Sequence, residues 1–128
     1  MTENEISYQI RGAIFNIYEN LGPGLLESAY ETTLIYELKK RGLLVESQVP
    51  IPIIYEEIQI ESAFRLDLLI NKKVIIEIKS VEKLTKLHHK QLITYLKLTG
   101  IKLGILVNFN SDSIFDNIIR KVNRLNQD

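Results

Sequence analysis

No stretch restricts the fold of this chain as tightly as residues 60–80. Ile60 to Ile70 and Val74 to Ser80 are two β-rich apolar runs separated only by Asn71-Lys72-Lys73. That spacing predicts two antiparallel strands joined by a three-residue turn. Side chains alternate across a strand. Phe64, Leu66, Leu68 and Ile70 are therefore expected on one face of the first strand, with Arg65, Asp67 and Leu69 on the other. In the second strand Val74, Ile76 and Ile78 are expected to oppose Ile75, Glu77 and Lys79. Matching the apolar faces across the turn sets Leu66 against Ile78, Leu68 against Ile76, Asp67 against Glu77 and Arg65 against Lys79. A slip of one residue would drive Asp67 into the core. The hairpin thus brings two carboxylates and a lysine to one surface.

The rest of the chain is punctuated clearly. Thr2 and Glu5 form a capping-box signature, followed by Ile6, Ile10, Ala13, Ile14, Ile17 and Leu21 at helical spacing. Gly22-Pro23-Gly24 ends that helix. A second helix is expected from about Leu25 to Arg41, with Leu26, Ala29, Tyr30, Thr33, Leu34 and Leu38 as its apolar set and Gly42 as its stop. Val45 to Tyr55 reads as a strand. Its Pro50 and Pro52 cannot donate to a ladder, which predicts a sheet edge. Thr85 to Gly100 reads as a helix and Lys102 to Phe109 as a buried strand, while Ser113 with Asp116 predicts a last helix to about Leu125. The expected order is α-α-β-β-β-α-β-α. This is an α/β arrangement in which a mixed four-stranded sheet is flanked by helices, the helix before the last strand serving as a crossover to a parallel partner.

The 128 residues suit one domain spanning 1–128, with no internal repeat or linker. The absence of cysteine excludes a disulfide framework and thiolate zinc sites, and fits a cytoplasmic protein. No apolar run is long enough for a membrane span. Net charge is zero, but it is unevenly placed. Residues 1–71 hold eleven Asp/Glu against five Lys/Arg, whereas residues 72–102 hold eight Lys against two Glu. A local basic segment of this kind can meet phosphates, although a solvated lysine-rich face is the plainer explanation.

Two carboxylates facing each other across a sheet repel and weigh against stability in apolar strands unless neutralised. Mg²⁺ accepts one or two carboxylates together with waters and substrate phosphate. A cation beside them, here Lys79, can hold an attacking water or stabilise charge developing on phosphorus. A cross-strand ion network on a solvated face would use the same residues. His88-His89 is not a chelating pair, because adjacent helical residues point about 100° apart.

Asp67 followed by Glu77-x-Lys79 on the next strand resembles the signature of the PD-(D/E)xK nuclease superfamily. The segments GPGLLESAYE, FRLDLLI, IIEIKSVEKL, HHKQLITYLKLTG and GILVNFN together closely resemble the GxxExxY family, a branch of it, with Gly24, Glu27 and Tyr30 at the naming motif. Leu66 stands where the superfamily name has proline. The resemblance runs from about Ile6 to Arg120 and implies a restriction-endonuclease-like fold. It implies metal-dependent hydrolysis of phosphodiester bonds, most readily in DNA, with Mg²⁺ or Mn²⁺ held by Asp67, Glu77, the Ile78 carbonyl and Glu27. Lys79 would be the catalytic cation, Gln91 a positioning residue and Lys83, Lys86 and Lys90 backbone contacts. By spacing, Gln91 shares a helical stripe with Leu87, Thr94, Tyr95 and Leu98. The rival expectation is a catalytically silent nuclease-fold module acting in a nucleic-acid repair or defence assembly. So small a domain has little surface with which to grip a duplex, which leaves room for a homodimer.

Overall fold

The structure is a computed structural model and describes residues 1–125. Helix α1 (Glu3–Leu21) opens on the expected capping box, with Thr2 and Glu5 exchanging bonds, and buries Ile6, Ile10, Ala13, Ile14 and Ile17. Helix α2 (Glu27–Lys40) starts two residues later than expected. Leu26 is its cap residue and is 78% exposed, so the apolar stripe begins at Tyr30 and continues through Leu34 and Leu38. The reason is the preceding Gly-Pro-Gly turn, in which Gly22 and Gly24 take φ of 68° and 101°, values that suit glycine.

Five strands form one sheet in the order β1-β2-β3-β4-β5: β1 (Val45–Tyr55), β2 (Ile58–Ile70), β3 (Val74–Lys79), β4 (Leu103–Asn108) and β5 (Ile118–Val122). The first three are antiparallel. Helix α3 (Lys86–Thr99) then crosses over, and β4 runs parallel to β3. The proline-bearing β1 lies at the sheet edge, as its missing donors require. Among the described residues no helix is long and apolar enough to cross a membrane.

One expected element is corrected. Ser113 Oγ donates to Asp116 Oδ2 at 2.9 Å, a side-chain bond that caps no backbone amide, and the chain makes only a 3₁₀ turn at Phe115–Asn117 before it enters β5. The sheet therefore has five strands, and the last element is not a helix. All six residues of β4 are buried, and a buried strand edge would strand its backbone donors and acceptors. The antiparallel β5, pairing Leu103 with Val122 through Val107 with Ile118, satisfies them.

The sheet separates two apolar cores. On one face α1 and α2 pack on Leu68, Ile70, Val74, Ile76, Ile78, Ile105 and Val107. On the other, Leu92, Tyr95 and Leu96 of α3 pack on Leu66, Leu69, Ile75 and Leu106. Leu66 and Phe64 thus belong to the α3 side, not to the face of Leu68 and Ile70 as simple alternation predicts. The change of face occurs in both strands of the β1–β2 ribbon. Val45 packs on the α1–α2 core, whereas Val49 and Ile51 pack on the α3 core. Between Ser47↔Leu68 and Val49↔Leu66 the ladder passes over Gln48 and Asp67, and Gln48 sits at φ 51°. A left-handed residue in one strand re-aims every side chain beyond it.

Candidate active site

The β2–β3 hairpin has the expected register but is short. Leu68 pairs with Ile76, Leu69 with Ile75 and Ile70 with Val74, and the ladder then stops. Leu66 and Ile78, and Arg65 and Lys79, are not ladder partners. Beyond Leu68 the two strands part, and each turns a carboxylate to the other's backbone. The Asp67 amide donates to Glu77 Oε2 at 2.9 Å, and the Ile78 amide donates to Asp67 Oδ2 at 2.8 Å. Side chains thereby replace the ladder bonds that separation removed, which answers the requirement that buried amides find acceptors. Asp67 and Glu77 are brought together as the alternating pattern expects.

Burial shapes their charge. Glu77 is only 4% exposed. Burial first, then the neighbouring Asp67 carboxylate, push its pKa to about 8, with a further raising contribution from Glu27, against opposition from the Asp67 amide and Lys79. Burial also raises Asp67, and the Ile78 amide, Lys79 and the Gln48 side chain pull the other way. The Tyr95 hydroxyl is raised by burial and by both carboxylates, and its ring stacks on Phe64 at 4.3 Å. At neutral pH the pair on its own therefore keeps a proton on Glu77, because two negative charges in so dry a place lack compensation.

Glu27 reaches the same place from α2. Together with Ser28, Glu31, Gln48, Asp67 and Ile78 it lines a cleft of about 210 Å³. The turn before it is pinned from two sides. Tyr30 Oη donates to the Gly22 carbonyl at 2.6 Å and accepts from the Leu25 amide at 3.2 Å, while Ser80, just after β3, donates to the Leu25 carbonyl at 2.6 Å. Tyr30 is itself buried and stacked on Phe109, with ring centroids 4.3 Å apart. Gly24, Glu27 and Tyr30 therefore divide the labour: turn, cleft carboxylate and clamp.

The chemistry of these donors suits a divalent ion in part. Asp67, whose pKa is raised, and the chain at Ile78 line the cleft, Glu77 is tied to the Asp67 amide beside it, and one or two carboxylates are what Mg²⁺ ordinarily takes. Among the described residues, however, no three His, Asp or Glu side chains form a ready-made ligand set. The site suits a water-rich ion rather than a closed protein cage.

Other expected residues are more scattered. Lys79 is half-buried and lies beside Asn108 of β4. Gln91 is exposed, as are Leu87, Thr94 and Leu98; the buried stripe of α3 is Leu92, Tyr95 and Leu96. The expected stripe runs along the helix's outer side, and only Tyr95 of it faces inward. Lys83, Lys86 and Lys90 are exposed around the start of α3. His88 caps that helix, its Nδ1 accepting from the Thr85 amide at 3.0 Å. Sequence reasoning missed Gln48, whose side chain donates to Glu31 at 2.7 Å. It also missed Asn108, which is buried and bonds both the amide and the carbonyl of Val81, fixing the chain just past Lys79. A lone polar residue closing an apolar strand was the available signal for Asn108.

The crystal structure of SSO0001 is similar to this chain, with a TM-score of 0.50 and 29% identity, covering 74% of this chain and 48% of that one. This chain thus matches about half the length of that protein. No curated protein matches. The sequence profile of the PD-(D/E)XK nuclease superfamily matches residues 4–122, from the first turn of α1 to the last residue of β5. A match that takes in every helix and strand leaves no element outside the family pattern, and the chain belongs to the PD-(D/E)XK nuclease superfamily.

Proposed function

We propose that this chain is a metal-dependent nuclease of the GxxExxY branch that hydrolyses phosphodiester bonds in DNA. The reading is carried by one observation: two carboxylates of raised pKa exchange backbone amides where β2 and β3 part. Asp67 and Glu77, with the Ile78 carbonyl and Glu27, would hold Mg²⁺ or Mn²⁺. Bound there, the ion would lower the pKa of a water and polarise the phosphodiester. Ion binding would displace the proton from Glu77. Lys79 would stabilise charge developing on phosphate. Gln91 would position substrate, and Lys83, Lys86 and Lys90 would contact the strand electrostatically. Pairing of two copies would enlarge the grip on a duplex.

A catalytically silent binding module is the second reading. It is favoured by the way each carboxylate already commits an oxygen to an amide without a third acidic side chain completing the set. Incubating the protein with linear, flapped and four-way DNA in Mn²⁺ decides between them. Cleavage by the wild type and none by Asp67→Ala or Lys79→Ala is the expected result; cleavage by Asp67→Ala equal to wild type would remove the assignment.

A further inference from the structure

The end of the sheet remote from the carboxylates has a second concave feature. Lys97 on the last turn of α3, Gly100 at its cap, Lys102 just before β4, and Asn123 and Arg124 just after β5 line a depression of about 500 Å³. Its three charged side chains are all cations. Among the described residues none of them pairs with a carboxylate. Gathered like charges repel. The C-terminal dipole of α3 accounts for Lys97, but Arg124 comes from a different part of the chain. The walls are fixed by the backbone. The Asn123 amide donates to the Lys102 carbonyl at 2.8 Å, and its Nδ2 to the Leu96 carbonyl at 3.2 Å. Arg124 itself is held at φ 60°, a conformation that costs a non-glycine residue stability. A rigid, concave and uncompensated cation cluster has the chemistry of an anion site.

We propose that this cradle binds a backbone phosphate of the nucleic-acid strand, a contact that rests on the nuclease reading and gives the strand a second fixed point. Lys102 adjoins Leu103, whereas Lys79 lies beside Asn108 at the other end of β4. At about 3.3 Å per residue the two ends of β4 are roughly 17 Å apart. A strand touching both spans about five nucleotides or more, at about 3.4 Å each.

The test measures binding of a labelled DNA duplex of about 20 base pairs by anisotropy, in chelator and over a range of salt. It compares wild type, Lys97→Ala/Lys102→Ala/Arg124→Ala, the charge-keeping Lys97→Arg/Lys102→Arg, and Lys39→Ala as a surface-charge control. Thermal unfolding establishes that each variant is folded. The triple variant is expected to bind about tenfold more weakly near ~0.1 M salt, and its slope of log affinity against log salt should be smaller by about one for each phosphate that is no longer neutralised. The arginine variant and Lys39→Ala should retain wild-type slopes. Equal affinity and slope for the triple variant and wild type overturn the proposal. They do so even where inorganic phosphate raises the melting temperature of wild type alone, since the cradle is then a free-anion site. If wild type fails to cleave DNA in Mn²⁺ while the triple variant still loses affinity, the strand contact stands and the catalytic reading falls.

Discussion

Glu77 shows how one buried side chain couples stability to chemistry. Its carboxyl is held at about 8, against an ordinary 4.5, so the folded chain binds that proton more tightly than the unfolded chain. The resulting stabilisation is complete below about pH 4.5 and is lost as pH rises toward 8. In chelator, wild-type stability should fall across that window, whereas Glu77→Gln, which keeps an acceptor for the Asp67 amide, should fall less, with only the raised Asp67 carboxyl left to titrate there. Between pH 4.5 and 8 the wild type should lose stability relative to the variant by on the order of 5 kcal/mol, at about 1.4 kcal/mol per pKa unit. Urea melts from pH 5 to 8 measure this, and parallel curves for the two proteins would contradict it. Tyr30 makes a different kind of contribution. Tyr30→Phe keeps the stack on Phe109 but leaves the Gly22 carbonyl and Leu25 amide without their shared partner. Denaturant unfolding should show a loss of about 1–3 kcal/mol.

Among the elements, α3 and β4 fit closely enough to expose the cost of one methyl group. A Cβ on Gly104 would lie 2.7 Å from Leu92 Cδ1 and 3.1 Å from Leu92 Cγ, and Leu92 is fully buried. Gly104→Ala should therefore destabilise by about 1–3 kcal/mol through overpacking. Pairing it with Leu92→Ala should recover part of that loss, which a double-mutant cycle would detect. The elements also show where local signals mislead. Ser113 and Asp116 bond side chain to side chain without capping a backbone amide, and the chain makes only one 3₁₀ turn there. Ile118 to Val122 is β-branched apart from Arg120 and Lys121, and an unfilled β4 edge lay beside it. The edge won because pairing there satisfies the backbone groups of six buried residues, whereas the Ser113–Asp116 bond satisfies no backbone group.

For the molecule as a whole, the carboxylate pair is a liability that an ion would relieve. On the metal-dependent reading, Mg²⁺ or Mn²⁺ at about 100 times its dissociation constant should raise wild-type stability by about 2.7 kcal/mol. Scanning calorimetry with and without the ion reads this directly. Glu77→Ala should lose the gain, and an equal gain in that variant would place the ion elsewhere.

Much of the layout was legible because it follows from local rules. The turn at 71–73 and the alternation beside it fixed the register that sets Leu68 against Ile76 and brings Asp67 to Glu77. Prolines marked β1 as an edge, and the glycines marked where α1 ends. What local rules could not supply was the point where strands stop pairing. The change of face at Gln48 and Asp67, the parting of β2 from β3, the outward turn of Gln91 and the addition of β5 all depend on which backbone groups and apolar faces the neighbouring elements leave unsatisfied. That balance exists only once both cores have closed on the sheet. The amino-acid order alone dictated which two acids would meet; the assembled fold dictated how dry they would be and which amides they would hold, because desolvation and hydrogen bonding are properties of surroundings rather than of spacing.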